Sequence, residues 1–150
     1  MADQIYQTLC AALDVRGYTY EKNEEKRSIQ CTLRGADIPI RFIIMVNDER
    51  KLIEFVSVLP CRMPEDKRIE GAIATTIANF GMYDGTIHYN IQDGILLYRM
   101  TSCFKGDTKV GQGLFHYMID CGCTNVDRYN DRFYNLAEGK ISIQEFVDLE

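Results

Sequence analysis

The sequence predicts an α+β fold with an antiparallel sheet of five to six strands. Two observations predict this class. Segments rich in β-branched and aromatic residues follow one another through short turns, which is how antiparallel strands are joined. Between them lie stretches whose apolar residues recur at helical spacing. The chain has 150 residues, of which 46% are hydrophobic. We therefore expect a single domain over residues 1–150, in the order helix, β-meander, helix, β-hairpin and long helix.

The first two helices are predicted by apolar spacing and by their end signals. Helix one is expected over Asp3–Arg16, with Asp3 as its N-cap and Gly17 as its left-handed stop. Helix two is expected to begin near Pro64, since proline favours the first turn of a helix, and to end at Gly81. The stripe that we predict to pack on the sheet consists of Ile69, Ile73, Ile77 and Phe80.

Strands are predicted in antiparallel pairs on either side of helix two. The pairs are residues 18–20 with Ser28–Leu33, Ile38–Val46 with Lys51–Leu59, and Tyr83–Ile91 with Ile95–Ser102. Short polar segments separate the partners, among them Asp93-Gly94, a frequent hairpin turn. Pro60 is expected to end the meander, because proline cannot donate a hydrogen bond to a strand ladder.

A long last helix is predicted from Thr108, with Asp107 as its cap and Gly139 as its stop. Its apolar stripe consists of Leu114, Met118, Gly122, Val126, Tyr129, Phe133 and Leu136. Glycine costs a helix about 1 kcal/mol relative to alanine. Gly122 therefore either permits a close approach of the helix to the sheet or marks a break in the helix.

The tail carries a helix-start signature. Ser142 and Glu145 have the spacing of a capping box, and Ile141 and Phe146 occupy the positions of a hydrophobic staple. We therefore expect residues 142–150 to form a short C-terminal helix.

The meander is apolar on both of its faces. On its central strands Ile43, Met45, Leu52, Val56 and Val58 point away from the side that Phe42, Ile44, Ile53 and Phe55 share. An antiparallel sheet with helices on one side normally has a polar second face. One explanation is that the last helix or the tail wraps behind the sheet. The alternative, which we favour, is that a partner or a second copy binds the face formed by Ile43, Met45, Leu52, Val56 and Val58.

Charge and hydropathy exclude several function classes. The formal charge is −5, and the basic residues occur as isolated doublets, so we expect no nucleic-acid partner. The longest apolar run, Phe42–Val46, is far shorter than a membrane helix, and the first twelve residues lack a signal peptide. We expect a cytoplasmic protein without a membrane partner, whose six cysteines are thiols.

The best arrangement for metal or thiol chemistry consists of His116, Asp120 and Cys123, which share one face of the long helix. A fourth ligand and a known metal-binding spacing are missing. The interpretation that we favour is a solvated His116–Asp120 pair with Cys123 packed as a small apolar group, because free cysteines are commonly buried. We therefore expect no metal, no cofactor and no catalytic residues.

Several stretches resemble the bacterial YbjN family, a group of proposed sensory transduction regulators whose fold is similar to that of type III secretion chaperones. The stretches are Val58-Leu59-Pro60, Pro64-Glu65-Asp66-Lys67-Arg68, Ala78-Asn79-Phe80-Gly81, residues 93–99 (DGILLYR), and Asp127, Tyr129, Leu136 and Gly139. The resemblance spans roughly residues 5–139 and implies a small homodimeric module that binds protein segments or acts in regulation.

The function that we predict is a non-enzymatic protein-binding or regulatory module that forms a chaperone-like homodimer, with a protein or peptide as its client. The alternative is a small-ligand sensor with a pocket between the sheet and the long helix, where Gly122 leaves room. A metal or thiol enzyme built on His116, Asp120 and Cys123 is the third hypothesis.

Overall fold

The described part of the chain folds into four helices and six strands. A computed structural model describes residues 1–106 and 109–150. The elements are α1 (Ala2–Val15), β1 (Tyr20–Asn23), β2 (Ser28–Leu33), β3 (Ile40–Asn47), β4 (Leu52–Arg62), α2 (Arg68–Phe80), β5 (Thr86–Tyr89), β6 (Ile95–Cys103), α3 (Gln112–Ala137) and α4 (Ile143–Asp148), with a 3₁₀ turn at Glu65–Lys67 before α2.

The six strands form one antiparallel sheet in the order β1-β2-β3-β4-β6-β5. The α+β class and the strand number are therefore confirmed. The meander β1 to β4 pairs consecutive strands, and α2 carries the chain to the far edge, from which β6 returns to lie beside β4. Strands β3 and β4 thus lie at the centre of the sheet, and β6 lies between β4 and the edge strand β5.

One side of the sheet holds the core. Alternate residues of β3, β4 and β6 are almost fully buried, among them Phe42, Ile44, Phe55 and Tyr98. The Phe42 and Phe55 rings stack with their centroids 4.9 Å apart. Helices α1 and α3 pack on this side. We call it the core side and the opposite side the outer face.

Three end signals differ from their predictions. Met1, not Asp3, stands at the N-cap of α1, and the Asp3 carboxylate lies 2.6 Å from Arg27 Nε. Strand β4 continues through Pro60 to Arg62. Its pairing with β6 is interrupted by a register shift between Val58 and Arg62, so Pro60 does not have to donate a hydrogen bond to the ladder. The predicted cap and start of the long helix, Asp107 and Thr108, lie outside the described residues, and α3 begins at Gln112 with Gly111 at its N-cap.

The predicted orientation of helix two is wrong. Its buried face consists of Gly71, Ala74, Thr75 and Ala78. Ile69, Ile73 and Phe80 are exposed, and only Ile77 of the predicted stripe packs against the core. A Cβ at Gly71 would lie 2.7 Å from Met63 Cγ and 2.7 Å from Tyr89 Oη. The helix therefore approaches the sheet through its small residues, and its bulky stripe faces outward.

The tail folds onto the helices. Ser142 Oγ accepts a hydrogen bond from the Glu145 backbone N–H at 3.1 Å, as the capping signature predicts. Phe146 is buried against Phe133, with ring centroids 5.1 Å apart. Helix α4 contacts α2 and α3.

Candidate protein-binding face

The outer face carries the five apolar residues that the sequence assigns to a partner. Ile43 lies opposite Val56 in the β3–β4 register, and Asn47 lies opposite Leu52. Val58 lies opposite Leu97 of β6. Because directly paired residues of neighbouring strands point to the same side of a sheet, the five predicted side chains share one face. They are Ile43, Met45, Leu52, Val56 and Val58.

These side chains are more exposed to solvent than the side chains on the core side of the same strands. Ile43 is 43% exposed and Val58 is 61% exposed, whereas their neighbours Ile44 and Phe55 are completely buried. Met45, Leu52 and Val56 are half-buried. Neighbouring side chains of the same sheet supply much of that partial burial, since they stand side by side on the pleat.

None of the four helices in the described part of the chain covers the outer face. Helix α3 contacts β4 from the core side, where Gly122 faces the Phe55 ring. Helix α4 contacts α2 and α3. The explanation in which the last helix or the tail wraps behind the sheet is therefore wrong.

Charged and polar residues border the apolar residues of the outer face. Val56 lies between Ile43 and Arg99 in the strand registers, and Met45 lies beside Glu54. Gln30 of β2 pairs with Ile43, and Thr86 of β5 pairs with Arg99. An apolar centre with a polar rim is the usual composition of a protein interface.

The metal candidates are engaged in separate contacts. A ring nitrogen of His116, Nε2, lies 2.8 Å from the Ala12 carbonyl oxygen. The two carboxylate oxygens of Asp120 accept hydrogen bonds from Arg16 at 2.5 and 3.0 Å, and these bonds hold the pKa of Asp120 below its usual value. Within residues 1–106 and 109–150, no three His, Cys, Asp or Glu side chains are grouped to hold a metal ion.

Cys31 is buried and Cys61 and Cys123 are half-buried, and all three thiols are poorly suited to nucleophilic chemistry. Burial is the main cause that raises the pKa of Cys123 to about 12, and burial followed by the charge of Glu138 raises that of Cys61 to about 12. Burial also raises the pKa of Cys31. A nucleophilic cysteine needs a lowered pKa, because the thiolate is the reacting form. These three residues act as small apolar groups.

Gly122 leaves no room for a ligand. A Cβ at this position would lie 2.6 Å from Cε1 and Cζ of Phe55. The ring fills the space that the glycine provides, and α3 continues through it without a break. Of the two predicted roles of Gly122, close approach to the sheet is confirmed, and the ligand pocket expected at this residue is absent there.

A second exposed apolar surface was missed by the sequence analysis. We define the α2 stripe as Ile69, Ile73 and Phe80; they are 67%, 45% and 95% exposed. Tyr83, just after the helix, is fully exposed. The signal that reveals this orientation is the row of small residues Gly71, Ala74 and Ala78, which lets α2 lie close to the sheet.

Comparisons of the whole fold find two informative neighbours. A crystal structure of YbjN, a proposed transcription regulator from E. coli, superposes with a TM-score of 0.60 at 14% sequence identity, covering 81% of this chain and 85% of YbjN. The fold is similar to that of YbjN. A chain of the HopA1–SchA chaperone–effector complex gives a TM-score of 0.51 at 11% identity, covering 87% of this chain and 95% of that one.

These likenesses confirm the predicted YbjN-like and chaperone-like fold. At such identities they show the fold alone. No family profile and no curated protein matches the sequence. In the described part of the chain, no helix is both long enough and apolar enough to span a membrane.

Proposed function

We propose that the protein is a non-enzymatic protein-binding module that forms a homodimer through its outer face. The observation that carries this proposal is the uncovered apolar centre of that face, with Ile43 and Val58 exposed on β3 and β4, the two central strands of the sheet. A monomer would leave these side chains in water. Fully burying one Val or Ile side chain contributes about 1.5–3 kcal/mol.

The geometry of the face suits a symmetric contact. Val56 is flanked by Ile43 on one strand and by Arg99 on the other, so an apolar patch lies beside a charged rim. A twofold axis near Val56 would bring the same patch of two copies together and leave the charged residues at the edge. A standard interface buries about 1,600 Å² in total, which requires the rim as well as the five central residues.

A protein client can occupy a different surface. Helix α2 packs on the core side of the sheet. Gly71 of α2 faces Tyr89 of β5. Tyr89 points to the same side of the sheet as Ile87, two residues before it, and Ile87 is buried in the core. The α2 stripe therefore lies on the other side of the sheet from the outer face. We assign the outer face to the second copy and leave the α2 stripe for a client. The likeness to a chain of a chaperone–effector complex supports a protein client.

A reducing compartment fits this function. All six cysteines are free, and structural disulfides are rare in the cytoplasm. We propose a cytoplasmic location for this reason.

The test is the molar mass in solution of matched lysine variants. Val56→Lys places a charge at the centre of the outer face, Ile73→Lys places one on the α2 stripe, and Gln4→Lys places one on the exposed side of α1. We expect a dimer for the parent, Ile73→Lys and Gln4→Lys, and a monomer for Val56→Lys with an unchanged circular dichroism spectrum. Light scattering after size exclusion measures this.

Two results would contradict the proposal. A parent chain that is monomeric at every concentration, with Val56→Lys unchanged in solubility and melting temperature, removes the partner role of the outer face. A dimer that survives Val56→Lys and dissociates in Ile73→Lys moves the dimer contact to the α2 stripe.

A further inference from the structure

Strands β3 and β4 separate at one end and leave a pocket between them. Their pairing register runs from Asn47 opposite Leu52 to Ile43 opposite Val56. Strand β3 nevertheless begins at Ile40, and β4 continues to Arg62. Pro39 and Pro60 stand at the open end of the pair, and neither has a backbone N–H with which to continue a ladder.

The pocket has a volume of about 440 Å³ and reaches through the gap to α3. Ile43, Val56 and Val58 lie at its outer-face side, and α3 supplies Val126 and Asn130. This volume lies within the range of sites for small molecules, about 300–1,000 Å³. The pocket therefore lies between the sheet and the long helix, two turns beyond Gly122.

Asn130 is the unusual residue in this pocket. It is 1% exposed, and its side-chain oxygen accepts a hydrogen bond from the Asp131 backbone N–H at 2.7 Å. Its side-chain Nδ2 has no hydrogen-bond partner in the described part of the chain. Buried polar groups are nearly always paired, because an unpaired buried donor costs stability. Less than 1 Å² of Nδ2 is accessible in the ligand-free chain, so the Asn130 side chain has to turn toward the pocket before this donor meets a ligand acceptor.

The other residues that line the pocket indicate which chemical groups a ligand can carry. Ser57 is already satisfied, because its Oγ donates to the Arg41 carbonyl oxygen at 2.7 Å. The other walls are apolar apart from Arg41, and no acidic side chain from residues 1–106 or 109–150 lines the pocket. The lining thus offers apolar surface, one neutral donor and one cation, which together favour an oxygen acceptor over a cationic group.

We propose that this pocket binds a small apolar molecule that carries a carbonyl or carboxylate oxygen, with that oxygen accepting from Asn130 Nδ2. The site goes beyond the proposed dimer, and Asn130 and Val126 belong to α3 and not to the outer face. Variants at these two residues therefore test the pocket without changing the side chains of the dimer contact.

Three eight-carbon probes separate the ligand chemistry. Octanoate and octanamide both carry the acceptor oxygen, whereas octylamine has the same chain with a cationic donor head. Isothermal titration calorimetry on the full chain is expected to show binding of the first two and much weaker binding of octylamine. In NMR spectra, the side-chain amide signal of Asn130 is expected to shift with both oxygen-bearing probes.

Matched variants test the role of the amide. Asn130→Leu keeps the size of the side chain and removes the donor, and we expect it to weaken binding of both oxygen-bearing probes about tenfold. Asn130→Leu also removes the hydrogen bond from the Asp131 N–H to Asn130 Oδ1, so its circular dichroism spectrum is recorded to show that it is folded before the titrations. Asn135→Leu, the same change on the same helix outside the pocket, should leave binding unchanged. Val126→Phe should fill the pocket and abolish binding.

The proposal is overturned if neither octanoate nor octanamide binds at millimolar concentration, or if octylamine binds as tightly as they do. It is also overturned if a folded Asn130→Leu variant binds both probes like the parent. Ile43, Val56 and Val58 line the pocket and also belong to the proposed dimer contact. The titrations are therefore carried out at protein concentrations at which light scattering shows a monomer, so that a dimer cannot cover the pocket and the two proposals can fail separately.

Discussion

Gly122 of α3 lies directly against the ring of Phe55 on β4, so closely that a Cβ at Gly122 would stand 2.6 Å from two ring carbons. Both residues are buried. Phe55 also stacks on Phe42 and meets Tyr98 edge-on, so the ring is held from several sides. This contact sets how near the long helix can approach the sheet.

We predict that Gly122→Ala destabilises the protein although alanine is the better helix former. The added methyl group overpacks a fixed aromatic ring, which typically costs about 1–3 kcal/mol and exceeds the gain of about 1 kcal/mol in helix propensity. The free energy of unfolding in urea measures the difference. Gly113→Ala, in the first turn of the same helix and with open space around it, should be neutral or stabilising. Equal stability of the two variants would refute the close contact.

The pair of Arg16 and Asp120 predicts a pH-dependent contribution to stability. Hydrogen bonds from Arg16 lower the pKa of Asp120 in the folded state. A carboxyl whose folded pKa is lowered stabilises the fold above its unfolded pKa of about 3.9 and loses that contribution as pH falls through the folded value.

Asp120→Asn should therefore be less stable than the parent at pH 7, by less than about 1 kcal/mol because the pair is partly exposed. The difference should shrink as the pH falls below 4. Urea titrations of Asp120→Asn, Arg16→Gln and the double variant at pH 7 and pH 3 measure the coupling. A coupling of equal size at both pH values would show that the ion pair is not its cause.

The outward orientation of the α2 stripe predicts that Phe80 contributes little to the stability of the monomer. Its side chain is 95% exposed, so Phe80→Ser should change the free energy of unfolding by no more than about 0.5 kcal/mol. Phe133→Ala, which removes a fully buried ring, should cost about 3–5 kcal/mol. Phe80→Ser should also reduce the fluorescence of a dye that binds exposed apolar surface. A large loss of stability in Phe80→Ser would place the ring inside the core.

The cysteines should differ sharply in their reaction with Ellman's reagent. Cys103 is exposed, whereas Cys61 and Cys123 have their pKa raised to about 12, mainly by burial. Because the thiolate is the reacting form, at pH 8 we expect Cys103 in the fast phase and the half-buried Cys61 and Cys123 in a much slower phase. Mass spectrometry of trapped adducts assigns each site, and Cys103→Ser should remove its share of the fast phase. Fast modification of Cys123 in the native protein would contradict its burial.

The sequence predicted the fold where local signals and packing agree. Alternation along β3 and β4 separates Ile44 and Phe55 from Ile43 and Val56, and the structure places the two sets on opposite sides of the sheet. The capping signature at Ser142 likewise gives the start of α4. In these cases a single period or motif decides the orientation.

The sequence was misleading where two signals compete. On α2 the bulky stripe and the small-residue stripe both have helical spacing, and hydrophobicity alone favours the bulky one. The small residues face inward because the helix packs closely against Met63 and Tyr89. The periodicity of the sequence does not reveal how closely a helix approaches other parts of the fold. Pro60 stays inside β4 for a similar reason, since the register shift that accommodates it involves the distant strand β6. The pocket at Asn130 depends on where β3 and β4 separate and could not be read from either strand.

The most direct test of the homodimer is an isotope-filtered NMR experiment on a mixture of two preparations, one with ¹³C-labelled Ile and Val methyl groups and one unlabelled but protonated. The account predicts intermolecular nuclear Overhauser effects at the methyl groups of Ile43, Val56 and Val58, and none at Ile73. Intermolecular effects at Ile73 alone, or at no methyl group in a sample that tumbles as one 17.3 kDa chain, would contradict it.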